Sequence, residues 1–240
     1  MNIWGKIIGS TGGFALGGPL GALLGALAGH AIDKFNKEKL PEEIVVKQIG
    51  FTIGVIALSA KMAKADGKVT NEEIISFKKQ IVVPENEIKN LGKIWNLAKK
   101  STAGFEIYAS QLASLFKPKS QVLEQLIFVL FNIAISDGKI TNEEIRYLKK
   151  VSTIFGFDNN DFDRISSHYL ESINDPFKTL GVEKTTNIHE IKKKWIKMSK
   201  EHHPDKLLAS GMPKEFINKS IKKLKDINNA WEIIKKKNNF

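Results

Sequence analysis

The 240-residue chain contains no cysteine. That excludes a disulfide framework and any cysteine-ligated zinc or iron–sulfur site. The absence suits a reducing compartment, although exported proteins without cysteine also exist. A second absence is local. No formally charged side chain occurs from Ile7 to Ile32, a run longer than the roughly 20 residues that a membrane-spanning helix needs. A third is of pattern. Between Pro41 and Glu171 no strand-like alternation persists, and apolar residues recur at intervals of three and four. This stretch therefore reads as all helix.

Inside the uncharged run a glycine falls on every fourth residue: Gly5, Gly9, Gly13, Gly17, Gly21, Gly25 and Gly29. Glycine weakens a helix in water by about 1 kcal/mol against alanine. In lipid no hydrophobic drive pulls helices together, and small residues four apart form a strip along which two backbones can approach closely. Residues 1–34 are thus expected to form a transmembrane segment that associates with a second copy of itself, giving a homodimer in the bilayer. Lys6 precedes the run, whereas Lys34, Lys37 and Lys39 follow it. That bias places the N-terminus outside and the bulk of the chain in the cytoplasm. A cleaved signal peptide fits less well, because the apolar run is too long and its leading region has one lysine. The competing reading is a glycine-rich tail or a soluble glycine zipper, and Pro19 interrupts the run.

For residues 41–172 the periodicity predicts helices over about 42–65, 71–82, 85–100, 104–116, 119–136, 142–155 and 159–172, with Pro84 and Pro118 near the first turns of two of them. Two corners nearly repeat: AKADGKVTNEEI, from Ala63, and AISDGKITNEEI, from Ala134. Gly67 and Gly138 can take the left-handed conformation that ends a helix. Thr70 with Glu73, and Thr141 with Glu144, have the spacing of a capping box. Val69 with Ile74, and Ile140 with Ile145, supply the hydrophobic staple. Asp66 and Asp137 are left over. They either bond amides in the turn or join the neighbouring glutamates as weak candidates for a divalent cation, on a spacing that is not that of an EF-hand. The repeated corner in a helical domain of this size resembles the TerB-like (tellurite-resistance B) domain. The resemblance implies a compact helical bundle, and the repeat suggests a pseudo-twofold arrangement within it.

The formal charge is +11, and most of the excess lies from Asp175 onward, where 16 lysines face 8 acidic residues. A basic region implies an acidic partner. Within it Asn187 caps a helix whose stripe is Ile188, Ile191, Trp195 and Met198, while Lys193, Lys197 and Lys200 line another face. That helix must stop by His203, because Pro204 follows. A second helix begins near Pro213 and carries Ile217, Leu224, Ile227, Trp231 and Ile234 as its stripe. Two such helices are expected to pack as an antiparallel hairpin, with His203-Pro204-Asp205 (HPD) in the connecting loop.

DPFKTLGV, a lysine-rich helix, HPD and then INNAWEIIKK together resemble the J domain of DnaJ-type co-chaperones, over residues 174–240. With the glycine-rich span and the TerB-like domain before it, the whole chain resembles the membrane-anchored DnaJ-like proteins of the bacterial inner membrane. The resemblance implies an all-α protein without enzymatic activity or cofactor. Its partner would be a DnaK-family chaperone, bound through His203, Pro204 and Asp205 with Lys192, Lys193 and Lys197, and its ATP hydrolysis would be stimulated. Trp195 stands where that family often has tyrosine, and Ile196 replaces a commonly basic position. The glycine/phenylalanine-rich linker and cysteine zinc module of DnaJ are missing, so holding of unfolded clients is not implied. A role in stress response follows from the resemblance alone. Two other readings fit parts of the sequence: a basic nucleic-acid-binding protein, against which stands the scarcity of aromatics among the lysines, and a metal-binding stress protein centred on Asp66 and Asp137.

Overall fold

The computed structural model describes residues 3–4, 7, 17–25, 41–65, 77, 83–101, 103–170 and 175–238. Among them there are helices and no strands. We number the helices α1 (Gly18–Gly25), α2 (Glu42–Ala65), α3 (Ile88–Lys100), α4 (Phe105–Leu115), α5 (Gln121–Ala134), α6 (Asn142–Ile154), α7 (Asn159–Leu170), α8 (Pro176–Leu180), α9 (Ile188–Glu201), α10 (Pro204–Ala209) and α11 (Ile217–Lys237). Single 3-10 turns precede α3, follow α5 and precede α11.

The middle domain is built around α2, which packs against α3, α4, α5 and α6. From Phe51 to Ala60 every residue of α2 is buried. Among the described residues, Glu42–Ala63 is the helix long and apolar enough to cross a membrane, and 72% of that window lies inside the protein. It is apolar all round because neighbours cover it all round, which is how a central core helix reads. The helix α5 is its counterpart, buried almost throughout.

The second repeated corner has the expected construction. Gly138 takes φ 102°, a left-handed value that a side chain disfavours, and ends the 3-10 turn. The Thr141 hydroxyl accepts from Glu144 N, and the Glu144 carboxylate accepts from Thr141 N at 2.8 Å, closing the capping box. The first corner, with Asp66, Gly67, Val69, Thr70, Glu73 and Ile74, lies outside the described residues, and with it the expected pseudo-twofold. So do the predicted helix over 71–82, apart from the buried, helical Phe77, and the glycines Gly5, Gly9, Gly13 and Gly29.

Of the front segment, α1 lies on α2, α3 and α4, burying Leu20 and Leu23. Gln111 of α4 accepts from Leu20 N and donates to Gly17 O. Gly17 and Gly18 both have positive φ, so the helix starts there, with Pro19 in its first turn.

The C-terminal region forms the expected antiparallel hairpin of α9 and α11, with α8 across it. Its own core comprises Leu180, Ile191, Met198, Ile227, Ala230, Trp231 and Ile234. Trp195 stacks on Trp231 at 5.1 Å with 10° between the rings and donates its indole N–H to Asn228. Two expectations change. The connection between the long helices is not a plain loop, because HPD opens the short helix α10. Ile217 does not join the hairpin stripe. It packs against the middle-domain core, because the connection turns toward that domain.

Candidate functional site at the hairpin tip

The site begins with the termination of α9. Glu201 ends the helix and His202 is its C-cap, as Pro204 requires. His203 then caps α10: its Nδ1 accepts from Asp205 N at 3.3 Å. Pro204 occupies the first helical position, where its missing N–H costs nothing. The Leu207 N–H donates to the His203 carbonyl. The tripeptide is therefore the first turn of a helix, with its polar groups directed outward. The His203 side chain is 54% exposed and that of Asp205 is 87% exposed, with 3.7 Å between Nδ1 and the carboxylate.

Beside this turn runs the basic face of α9. Lys193, Lys197 and Lys200 are exposed, whereas Lys192 is half-buried. Ile196 sits among them, 37% exposed. The structure thus leaves four of the six expected docking residues, His203, Asp205, Lys193 and Lys197, on open surface. Pro204 and Lys192 are partly covered. The tryptophans offer no array of open rings, since Trp231 is buried under Trp195.

Immediately behind the tip lies a buried polar cluster that residue spacing does not reveal. Arg164 of α7 and Glu124 of α5 form a two-pronged ion pair at 2.8 and 3.1 Å. Burial works to raise the Glu124 carboxyl, but the charge of Arg164, with the neighbouring bases, outweighs it and holds it down at about 2. His202 is 2% exposed and reaches into this cluster from α9. Gln125 Nε2 lies 3.3 Å from its Nδ1, and Glu124 Oε1 lies 3.9 Å from its Nε2. Burial pushes His202 down to about 4, and Lys223, Arg164 and Lys206 push the same way against the pull of Glu124. The ring is neutral at pH 7. With Nδ1 accepting from the Gln125 amide, its one hydrogen is on Nε2, facing Glu124.

Lys223 of α11 completes the group. It is buried, and its ammonium makes no hydrogen bond among the described residues. It sits 4.4 Å from the centre of the Phe128 ring, where the ring's negative face offers partial compensation. Burial brings it down to about 8. Two signals for this cluster were present in the sequence: Glu124 is a lone acid in an apolar helix, and Lys223 stands four residues before Ile227 on the buried side of its helix. Asp137 closes the 3-10 turn after α5, far along the chain from this tip. Among the described residues no group of three or more His, Asp or Glu side chains is arranged to hold a metal ion.

The comparisons with known proteins agree with this construction. Residues 175–239 match the DnaJ domain, residues 52–167 the tellurite resistance protein TerB, and residues 1–43 the co-chaperone DjlA transmembrane domain. The three matches stand in the order of a DjlA-type co-chaperone, which the chain resembles over its whole length. It is 27% identical to the co-chaperone protein DjlA of Coxiella burnetii over 270 residues, 98% of each chain. It is 25% identical to that of Photobacterium profundum, over 99% of this chain and 100% of the relative. It is 24% identical to that of Escherichia coli (strain K12) over 100% of both. No solved structure gives a significant match. The J-domain match and the similarity to DjlA proteins support a co-chaperone role and a chaperone of the DnaK family as partner.

Proposed function

We propose that the chain docks on a DnaK-family chaperone through His203, Pro204 and Asp205, assisted by Lys192, Lys193 and Lys197, and stimulates its ATP hydrolysis. The observation that carries this reading is the tip itself: HPD stands at exposed surface as the first turn of α10, beside the open lysines of α9. A basic face steers encounter with an acidic one and raises the association rate. Docking a turn already held in helix forfeits less entropy than docking a flexible loop. The catalytic groups belong to the partner, and this chain supplies shape and charge.

The same proposal places the chain in the bacterial inner membrane. Residues 1–34 are its proposed anchor, with the N-terminus outside and the TerB-like and J domains, residues 41–172 and 174–240, in the cytoplasm; α1 lies on α2, α3 and α4 in this structure, so spanning requires it to leave that face. Supporting it are the uncharged run from Ile7 to Ile32, the lysines that follow it and the match of residues 1–43 to a transmembrane domain. Glycines four apart support self-association of two spans. A tethered co-chaperone of this build concentrates its partner at the membrane surface, which also suits a stress-response role.

The test is single-turnover ATP hydrolysis by DnaK with the full chain in detergent or nanodiscs. Wild type is expected to accelerate hydrolysis and His203→Gln to lose the acceleration. Equal acceleration by both proteins overturns the docking reading.

A further inference from the structure

The connection that carries HPD is longer than a turn needs to be, and its apolar residues do not enter the hairpin's core. Leu207, Met212 and Phe216 are buried in the main cluster of the TerB-like domain. Phe216 meets Phe51 of α2 edge to face at 4.9 Å. At Gly211, φ is +97°, and an added Cβ would come within 2.6 Å of the Lys47 side chain of α2. On the other side of the tripeptide, His202 is buried against Gln125 and Glu124 of α5. One residue beyond, Glu201 accepts from the Gln121 amide at 3.1 Å. The three HPD residues are thus bracketed by two buried anchors, His202 and Leu207. Both anchors are gripped by a domain that ends thirty residues before His202 in the chain.

We propose that His202 and Leu207 are positioning residues that seat the HPD turn on the TerB-like domain, so that this domain, rather than the hairpin alone, fixes the tripeptide for docking. The inference rests on the docking reading above and adds what sets the geometry of that site. Physically, the anchors remove the freedom of a connection that would otherwise sample many conformations, and that ordering is complete before the partner arrives. A buried hydrogen bond and a buried leucine on opposite flanks fix both ends of a turn whose middle faces solvent. The neutral state of His202 at pH 7 allows it to accept from Gln125 without introducing a second buried charge beside Lys223.

The experiment uses the full chain with Gln125→Leu, which keeps the volume of the side chain and removes the amide, and with Leu207→Ala. Ile234→Val is a control in the hairpin's own core, away from the tip. Two readouts are taken: the concentration giving half-maximal stimulation of DnaK set against the maximal stimulation, and amide exchange over residues 203–210. Gln125→Leu and Leu207→Ala are each expected to raise the half-maximal concentration about three- to tenfold, as loss of one buried hydrogen bond or more would. The maximal rate should stay near wild type, and exchange in 203–210 should become faster. Ile234→Val should leave both unchanged. If Leu207→Ala fails to fold, Gln125→Leu decides alone. Unchanged half-maximal concentration, with or without faster exchange, overturns the positioning role. Absence of any stimulation by wild type overturns the docking reading and the inference with it, an outcome separate from failure of the variants.

Discussion

The two ends of the J domain are held by different cores. At the far end, Leu180, Ile191, Ile227, Trp231 and Ile234 pack on one another, and every contributor comes from the hairpin and the short helix α8. At the tip, Leu207, Met212 and Phe216 pack into the TerB-like domain, and His202 with Lys223 enters a polar cluster whose acid and main base, Glu124 and Arg164, belong to that domain. The far end is a self-sufficient hairpin. The tip, which carries the proposed function, depends on a neighbour. The difference teaches that a domain boundary drawn along the sequence need not coincide with a boundary drawn through the packing.

The largest effect expected at this seam is that of Arg164→Leu. It leaves the Glu124 carboxylate buried without its two-pronged partner, and breaking such a pair typically costs about 3–5 kcal/mol. Chemical denaturation should show a loss of that order. The loss should be reduced when Glu124→Gln is combined with it, since the uncompensated charge is then gone.

Next is the response to acid, which sharpens the comparison because the residues of the hairpin's own core are apolar. In the folded chain His202 titrates at about 4 rather than 6.5, facing Glu124, Lys223, Arg164 and Lys206. Below pH 6.5 the unfolded chain takes up a proton that the folded chain refuses, so stability falls as pH drops from 6.5 toward 4. Glu124, held at about 2, adds its own loss only below its ordinary 4.5. Between pH 7 and pH 5 the urea midpoint should therefore fall, and His202→Gln should flatten that dependence. The whole effect of His202 is on the order of 3 kcal/mol at the acid limit.

A smaller effect belongs to the far end. Asn228→Ala removes the acceptor of the Trp195 indole and of the Ser199 hydroxyl. On a solvent-accessible face this should cost about 1 kcal/mol. It should speed amide exchange in the middle of α9 and leave residues 203–210 as they are.

Much of this was legible in the sequence, for physical reasons that differ by element. The helices α3 to α7 follow from three-and-four periodicity, and the Thr141–Glu144 capping box from local spacing, because the free backbone N–H groups near a helix start donate to side chains three residues away. The hairpin and its stacked tryptophans follow from two stripes of matching length. What stayed hidden depends on long-range pairing. In sequence His202 is only the neighbour of His203, and the fold brings it to Gln125 and Glu124. Lys223 is one lysine among many. The segment of the short helix α10 reads as loop, because Pro204 and Asp205 are turn formers as well as good first-turn residues. Burial of α2 on every side accounts for its membrane-like composition, which sequence alone does not separate from a span.

The central claim, that the tip of the J domain is seated in the core of the TerB-like domain, is tested most directly by a double-mutant cycle on Phe51 and Phe216. The variants are Phe51→Leu, Phe216→Leu and the pair, and unfolding free energy is the readout. The account expects non-additivity of about 0.5–1.5 kcal/mol, the size found for aromatic pairs in contact. Losses that simply add would mean that the two rings do not share a core, and the seating of HPD on the middle domain would be contradicted.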